Sequence, residues 1–120
     1  MKQKIKKLWV DALRSGEYKQ GKSVLCSEDK YCCLGVLCEL AYNDNIINKE
    51  KGVHASYPNE VCYYDNESHL LPASVMKWAG LHDRAVSIRG NNMTTTGSLS
   101  GYNDNDWTFD ALADLIEEKL

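Results

Sequence analysis

Apolar residues at Ile5, Leu8, Trp9, Ala12 and Leu13 recur at i, i+3, i+4, i+7 and i+8 with lysines opposite, and predict an amphipathic helix over 3–15, stopped by Gly16. Within 17–33, the short runs Val24-Leu25-Cys26 and Tyr31-Cys32-Cys33 flank Ser-Glu-Asp-Lys and read as a small hairpin. From Leu34 to Tyr42 the apolar density exceeds that of a one-sided surface helix, since only Gly35 and Glu39 interrupt Leu34, Val36, Leu37, Cys38, Leu40 and Ala41. This segment is the expected central helix, ending near Asn43, with Leu37 fully buried. Residues 43–69 read as loop around one strand, Val61-Cys62-Tyr63-Tyr64.

Pro72 and Gly80 bound a third helix over 72–79 that presents Val75, Met76, Trp78 and Ala79 to the interior. Ala85-Val86-Ser87-Ile88 alternates like a strand, and Gly90 to Gly101 reads as a polar loop. Thr108 is placed to cap a last helix over 109–119, where Phe109, Leu112, Ala113 and Ile116 repeat at helical spacing. The pattern predicts an α+β domain over 1–120, with four helices around the buried 34–42 helix and a small antiparallel sheet.

Composition narrows the function classes. At 120 residues, 43% hydrophobic and 26% charged, the chain suits one globular domain and not a disordered tail. A formal charge of -3 argues against a non-specific nucleic-acid binder. The charge is unevenly placed: residues 1–22 carry seven basic and two acidic side chains, whereas residues 101–120 carry one basic and six acidic. Two solvated faces that attract each other across the fold account for this. The polar residues Asp11, Arg14 and Ser15 break the first apolar stretch well short of a signal peptide or membrane span, so a soluble cytoplasmic protein is expected. An odd set of five cysteines, Cys26, Cys32, Cys33, Cys38 and Cys62, then implies reduced thiols.

Most candidate chemistries fail on context. The cysteine spacing lacks the paired knuckles of structural zinc sites, although Cys62 with His54 and His69 is a conceivable ligand set; no metal and no cofactor are expected. A calcium loop beginning at Asp104 would need glycine where Phe109 stands and glutamate where Leu115 stands. Gly16 to Ser23 matches the letters of a phosphate loop, yet it follows a predicted helix where such a loop follows a strand. Cys62 with His54 or His69 is the only nearby set for nucleophilic catalysis, and nothing around either histidine orients it. What remains is a binding surface: Arg14, Tyr18, Lys19, Gln20 and Lys22 combine cations, an aromatic ring and an amide, with Arg84, Arg89 and the Asn91-Asn92 loop as further phosphate or ribose contacts.

Four motifs resemble those of a group of small proteins encoded by tailed bacteriophages and prophages. They are Trp9-Val-Asp-Ala-Leu-Arg-Ser-Gly-Glu-Tyr-Lys-Gln20, Tyr31-Cys-Cys-Leu-Gly-Val-Leu-Cys-Glu39, Leu71-Pro-Ala-Ser-Val-Met-Lys-Trp78, and Asn103-Asp104 followed by Trp107-Thr-Phe109 and the Ala113-Asp-Leu-Ile116 helix. The resemblance implies a biological setting and assigns no site. Accessory phage proteins often act against host defences, and one branch sequesters nucleotide-derived signals without cleaving them. The expectation is a non-enzymatic binder of a small nucleotide-like ligand, such as a cyclic nucleotide or a cyclic ADP-ribose isomer, working as a homo-oligomer. A protein inhibitor of a host enzyme, using the acidic C-terminal face, is the alternative, and a Cys/His enzyme comes third.

Overall fold

The computed structural model describes residues 1–89 and 96–120. Helix α1 (Gln3–Arg14) ends at Ser15 and Gly16, the latter in the left-handed region at φ 77°. It is followed by β1 (Lys19–Gln20), β2 (Cys26–Ser27), β3 (Lys30–Tyr31), α2 (Cys33–Asn43), β4 (Lys49–Gly52), β5 (Val61–Tyr64) and α3 (Ala73–Ala79). The remaining elements are β6 (Ser87–Arg89), β7 (Thr96–Ser98), α4 (Leu99–Asp104) and α5 (Phe109–Lys119). The result is an α+β fold with five helices among the described residues.

The larger sheet has the order β1-β3-β2-β5-β4 and is mixed, not purely antiparallel as expected, because β1 runs parallel to β3. A separate antiparallel pair joins β6 to β7. The hairpin is shorter than the sequence suggests: Glu28 and Asp29 both adopt positive φ, the geometry of a tight two-residue turn, and Cys33 already belongs to α2. The stretch 43–69 holds two strands, β4 and β5, where one was expected. In the 85–88 region the strand begins only at Ser87. Val86 stands at φ 56°, and the Asp83 carboxylate fixes the turn by accepting from the backbone N–H groups of Ala85 and Ser87. Residues 96–101, expected as loop, form β7 and the start of α4, with Ser98 capping α4 by accepting from Gly101 N–H at 3.0 Å. Residues 90–95, with Asn91 and Asn92, lie outside the described residues.

Helix α2 is the centre of the core, as its composition demands: Leu34, Val36, Leu37 and Cys38 are all at 0% exposure. Val75 and Ala79 of α3, and Phe109, Leu112, Ala113 and Ile116 of α5, are buried in the same cluster. Leu8 departs from the predicted stripe and stays 43% exposed, whereas Val10 is buried in its stead. Gly80 closes α3 at φ 73°, and Thr108 caps α5 by accepting from Ala111 N–H. Among the described residues no helix is long and apolar enough to cross a membrane.

The opposed charges of the two chain ends meet where α1 packs on α5. Arg14 binds both Asp114 (2.6 Å) and Glu117 (2.7 Å), and Lys22 binds Asp106. The acidic segment is thus partly neutralised from within.

Candidate functional site

Strand β4 alternates Lys49, Glu50 and Lys51, so the two lysines project from one face of the strand. Beside them β2 and β5 contribute Cys26 and Cys62, and β3 contributes Tyr31. Together with Asn59 these side chains line a cavity of about 480 Å³, whose remaining wall includes Glu28, Asp29 and Glu60. This volume lies within the range of small-molecule sites.

One end of the cavity rests on a half-buried polar network. Glu39 of α2 accepts from Lys49 Nζ at 2.9 Å and from the Tyr64 hydroxyl at 2.7 Å, and the Lys49 ammonium stands 5.5 Å from the Tyr42 ring centre and 5.7 Å from that of Tyr64. Burial would lower the Lys49 pKa, but the hydrogen bond and charge of Glu39 outweigh it and hold the pKa above the ordinary lysine value. The Tyr31 hydroxyl is pushed up by burial first and by Glu39 second, so it stays a donor across the physiological range. Lys51 is exposed and forms no ion pair among the described residues.

The five residues around the end of α1 are mostly engaged elsewhere. Arg14 holds α5 through its two carboxylates. Tyr18 is partly buried and packs edge-on against Tyr31, with ring centres 5.3 Å apart. Lys22 is paired with Asp106, leaving Lys19 as the cation of the group with no ion pair among the described residues. Arg84 sits on another part of the fold, bonded to Leu71 O and paired with Glu67. Arg89 closes β6, and its side chain lies outside the described set.

Gln20 has a structural post. Its Nε2 donates to Asn103 Oδ1 (2.9 Å) and Trp107 O (2.7 Å), and its Oε1 accepts from Phe109 N–H (3.1 Å) in the first turn of α5. Asn103, at 0% exposure, accepts from Cys33 N–H at the start of α2 (3.1 Å) and donates to Gly21 O (2.8 Å). A single polar seam therefore satisfies two helix starts and a strand end, which a buried backbone requires. Asn103→Ala is expected to cost about 1–3 kcal/mol by stranding Cys33 N–H and Gly21 O. Urea unfolding monitored by circular dichroism would measure it, and a loss below about 0.5 kcal/mol, the scale of a neutral surface change, would show that the seam is dispensable.

The histidines and Cys62 do not form the conceived catalytic set. His54 and His69 lie against each other with ring centres 4.8 Å apart and planes tilted by 58°, and Cys62 lines the cavity with Cys26. No group of three or more His, Cys, Asp or Glu side chains among the described residues is arranged to hold a metal ion. Lys49, Lys51 and Asn59 are among the cavity residues that the sequence did not single out, and Cys26 entered only as one of the five cysteines. The only signal for them was the Lys-Glu-Lys alternation, hidden in a stretch read as loop.

Fold and site define a small α+β domain with one mixed sheet, a polar seam tying its two ends, and a cavity walled by lysines, a tyrosine and two thiols. The chain belongs to the family described as a domain of unknown function, DUF8296, whose model matches residues 1–120. No curated protein and no solved structure matches the chain.

Proposed function

We propose that the protein is a phage accessory domain that captures a small nucleotide-derived signal in the host cytoplasm without cleaving it, and that the cavity beside β4 is where the ligand sits. The observation that carries this reading is the mixed lining of that cavity. Lys51 offers a phosphate a cation that forms no ion pair among the described residues, Tyr31 a ring and a hydroxyl, and Asn59 an amide. The carboxylates of Glu28, Asp29 and Glu60 suit the amino groups of a base. Tyr18, one of the residues favoured from sequence, supports the site from behind through Tyr31.

The test is thermal unfolding with cyclic nucleotides and cyclic ADP-ribose isomers. A ligand at ~100 times its Kd adds ~2.7 kcal/mol and raises Tm by several degrees. Lys51→Ala should remove the shift while leaving the unliganded Tm nearly unchanged, because Lys51 is exposed and forms no ion pair among the described residues. Arg14→Ala should keep it. Ligand released by heating should be chemically intact by chromatography. A panel without any shift defeats the reading, and a cleaved ligand makes the protein an enzyme. A shift that depends on Lys19 and not on Lys51 moves the site back to the end of α1.

A further inference from the structure

Strands β2 and β5 pair antiparallel with Ser27 opposite Val61, and that register extended by one residue brings Cys26 to face Cys62. Opposite residues of an antiparallel pair hold their Cβ atoms about 4.5–5.5 Å apart, within a small adjustment of the ~3.5–4.5 Å that a disulfide needs. Cys26 and Cys62 both line the cavity, the route by which a small reagent reaches these two residues, which are 3% and 2% exposed.

The other three cysteines are built differently. Cys32 spends its sulfur on Gly35 N–H as the cap of α2, Cys33 directs its thiol to Leu99 O, and Cys38 is at 0% exposure inside the same helix. Burial pushes the Cys32 thiol up to about 11 and those of Cys33 and Cys38 well above the ordinary value, so all three stay protonated and inert.

We propose that Cys26 and Cys62 are a reactive dithiol, and that a hydroperoxide entering the cavity converts them to a cross-strand disulfide. This rests on the thiol pair and not on the ligand reading. Cys62 is the attacking sulfur. It stands directly opposite Lys51 in the β4–β5 register, and its pKa is drawn down against burial, first by the neighbouring Cys26 thiol and then by the charges of Lys49 and Lys51, whereas the Cys26 thiol is raised. The Cys62 thiolate, its proton given to solvent, attacks one peroxide oxygen. The O–O bond breaks, and the departing oxygen takes a proton to leave as alcohol or water. Cys62 is then a sulfenic acid. The Cys26 sulfur attacks the Cys62 sulfur, the S–S bond forms, and the S–O bond breaks as hydroxide leaves with the Cys26 proton as water. Two thiols are oxidised by two electrons, and one peroxide is reduced to alcohol or water with release of a second water.

The experiment treats the folded full-length chain with equimolar hydrogen peroxide, alkylates it under denaturing conditions, and measures intact mass and a non-reduced peptide map. Three alkylated cysteines are expected where the untreated chain shows five. The map should show a Cys26–Cys62 link that dithiothreitol reverses. In Cys26→Ser the reaction should stop at a sulfenic acid on Cys62, trapped by dimedone. Five alkylated cysteines after treatment, or a link through Cys32, Cys33 or Cys38, would overturn the proposal. Because the wild-type map is decisive alone, a variant that fails to fold does not obscure the result.

Discussion

Gly35→Ala is expected to be among the most damaging single-atom additions available to this protein, costing more than about 3 kcal/mol, beyond the usual range for overpacking. A Cβ at Gly35 would stand 1.7 Å from the carbonyl oxygen of Leu25 and 2.7 Å from its carbon. Neither neighbour is the movable tip of a side chain. The Leu25 backbone is held from both sides, its N–H donating to Ser68 O at 2.7 Å and its carbonyl accepting from Cys32 N–H at 3.3 Å. Relief therefore requires either displacing the chain that leads into β2 or pushing α2 off the core. Guanidinium unfolding should show the loss as a lower midpoint, and a gain in stability would show that helix propensity alone governs the position. On propensity alone the substitution would stabilise by about 0.5–1 kcal/mol, so the experiment decides between two opposite signs.

A second large loss is expected from Trp9→Ala, about 3–5 kcal/mol. Trp9 is at 0% exposure on the face of α1 that meets α2, and its indole Nε1 donates to Cys33 O at 2.9 Å. Truncation leaves a cavity the size of the indole and removes that bond in one step. With domain stabilities of roughly 5–15 kcal/mol, much of the folded population is at stake, and Tm should fall by more than about 10 °C. Trp9→Phe separates the contributions. It keeps most of the packing and loses the donor, so its cost should be nearer that of one hydrogen bond, about 1 kcal/mol. Equal losses for the two variants would mean that the indole N–H, and not its volume, joins the helices.

The candidate site was less legible than the core. Arg14, Tyr18, Gln20 and Lys22 stand close in sequence and carry the chemistry of an anion site, but proximity in sequence says nothing about what faces them. The acids of α5 and the residues preceding it claim Arg14 and Lys22, and the starts of α2 and α5 occupy Gln20 directly or through Asn103. In the other direction, Lys51, Cys26 and Cys62 come from separated segments and meet only because β5 lies between β2 and β4. Strand pairing is non-local, so no local pattern announces such a cavity.

Local physics by itself determined the helices that carry long apolar repeats. The 3.6-residue periodicity of α1 and α5, the saturation of α2 with apolar side chains, and the stops at Gly16 and Gly80 follow from burial and from backbone conformations that glycine accepts readily. Only the tertiary structure decided the elements whose stability comes from partners far along the chain. The two-residue strands and α4 are too short to specify themselves, and the sign of a Gly35 substitution depends on a carbonyl ten residues away. Hydrogen bonds across the sheet and close packing act between segments, and their outcome exists only once those segments have met.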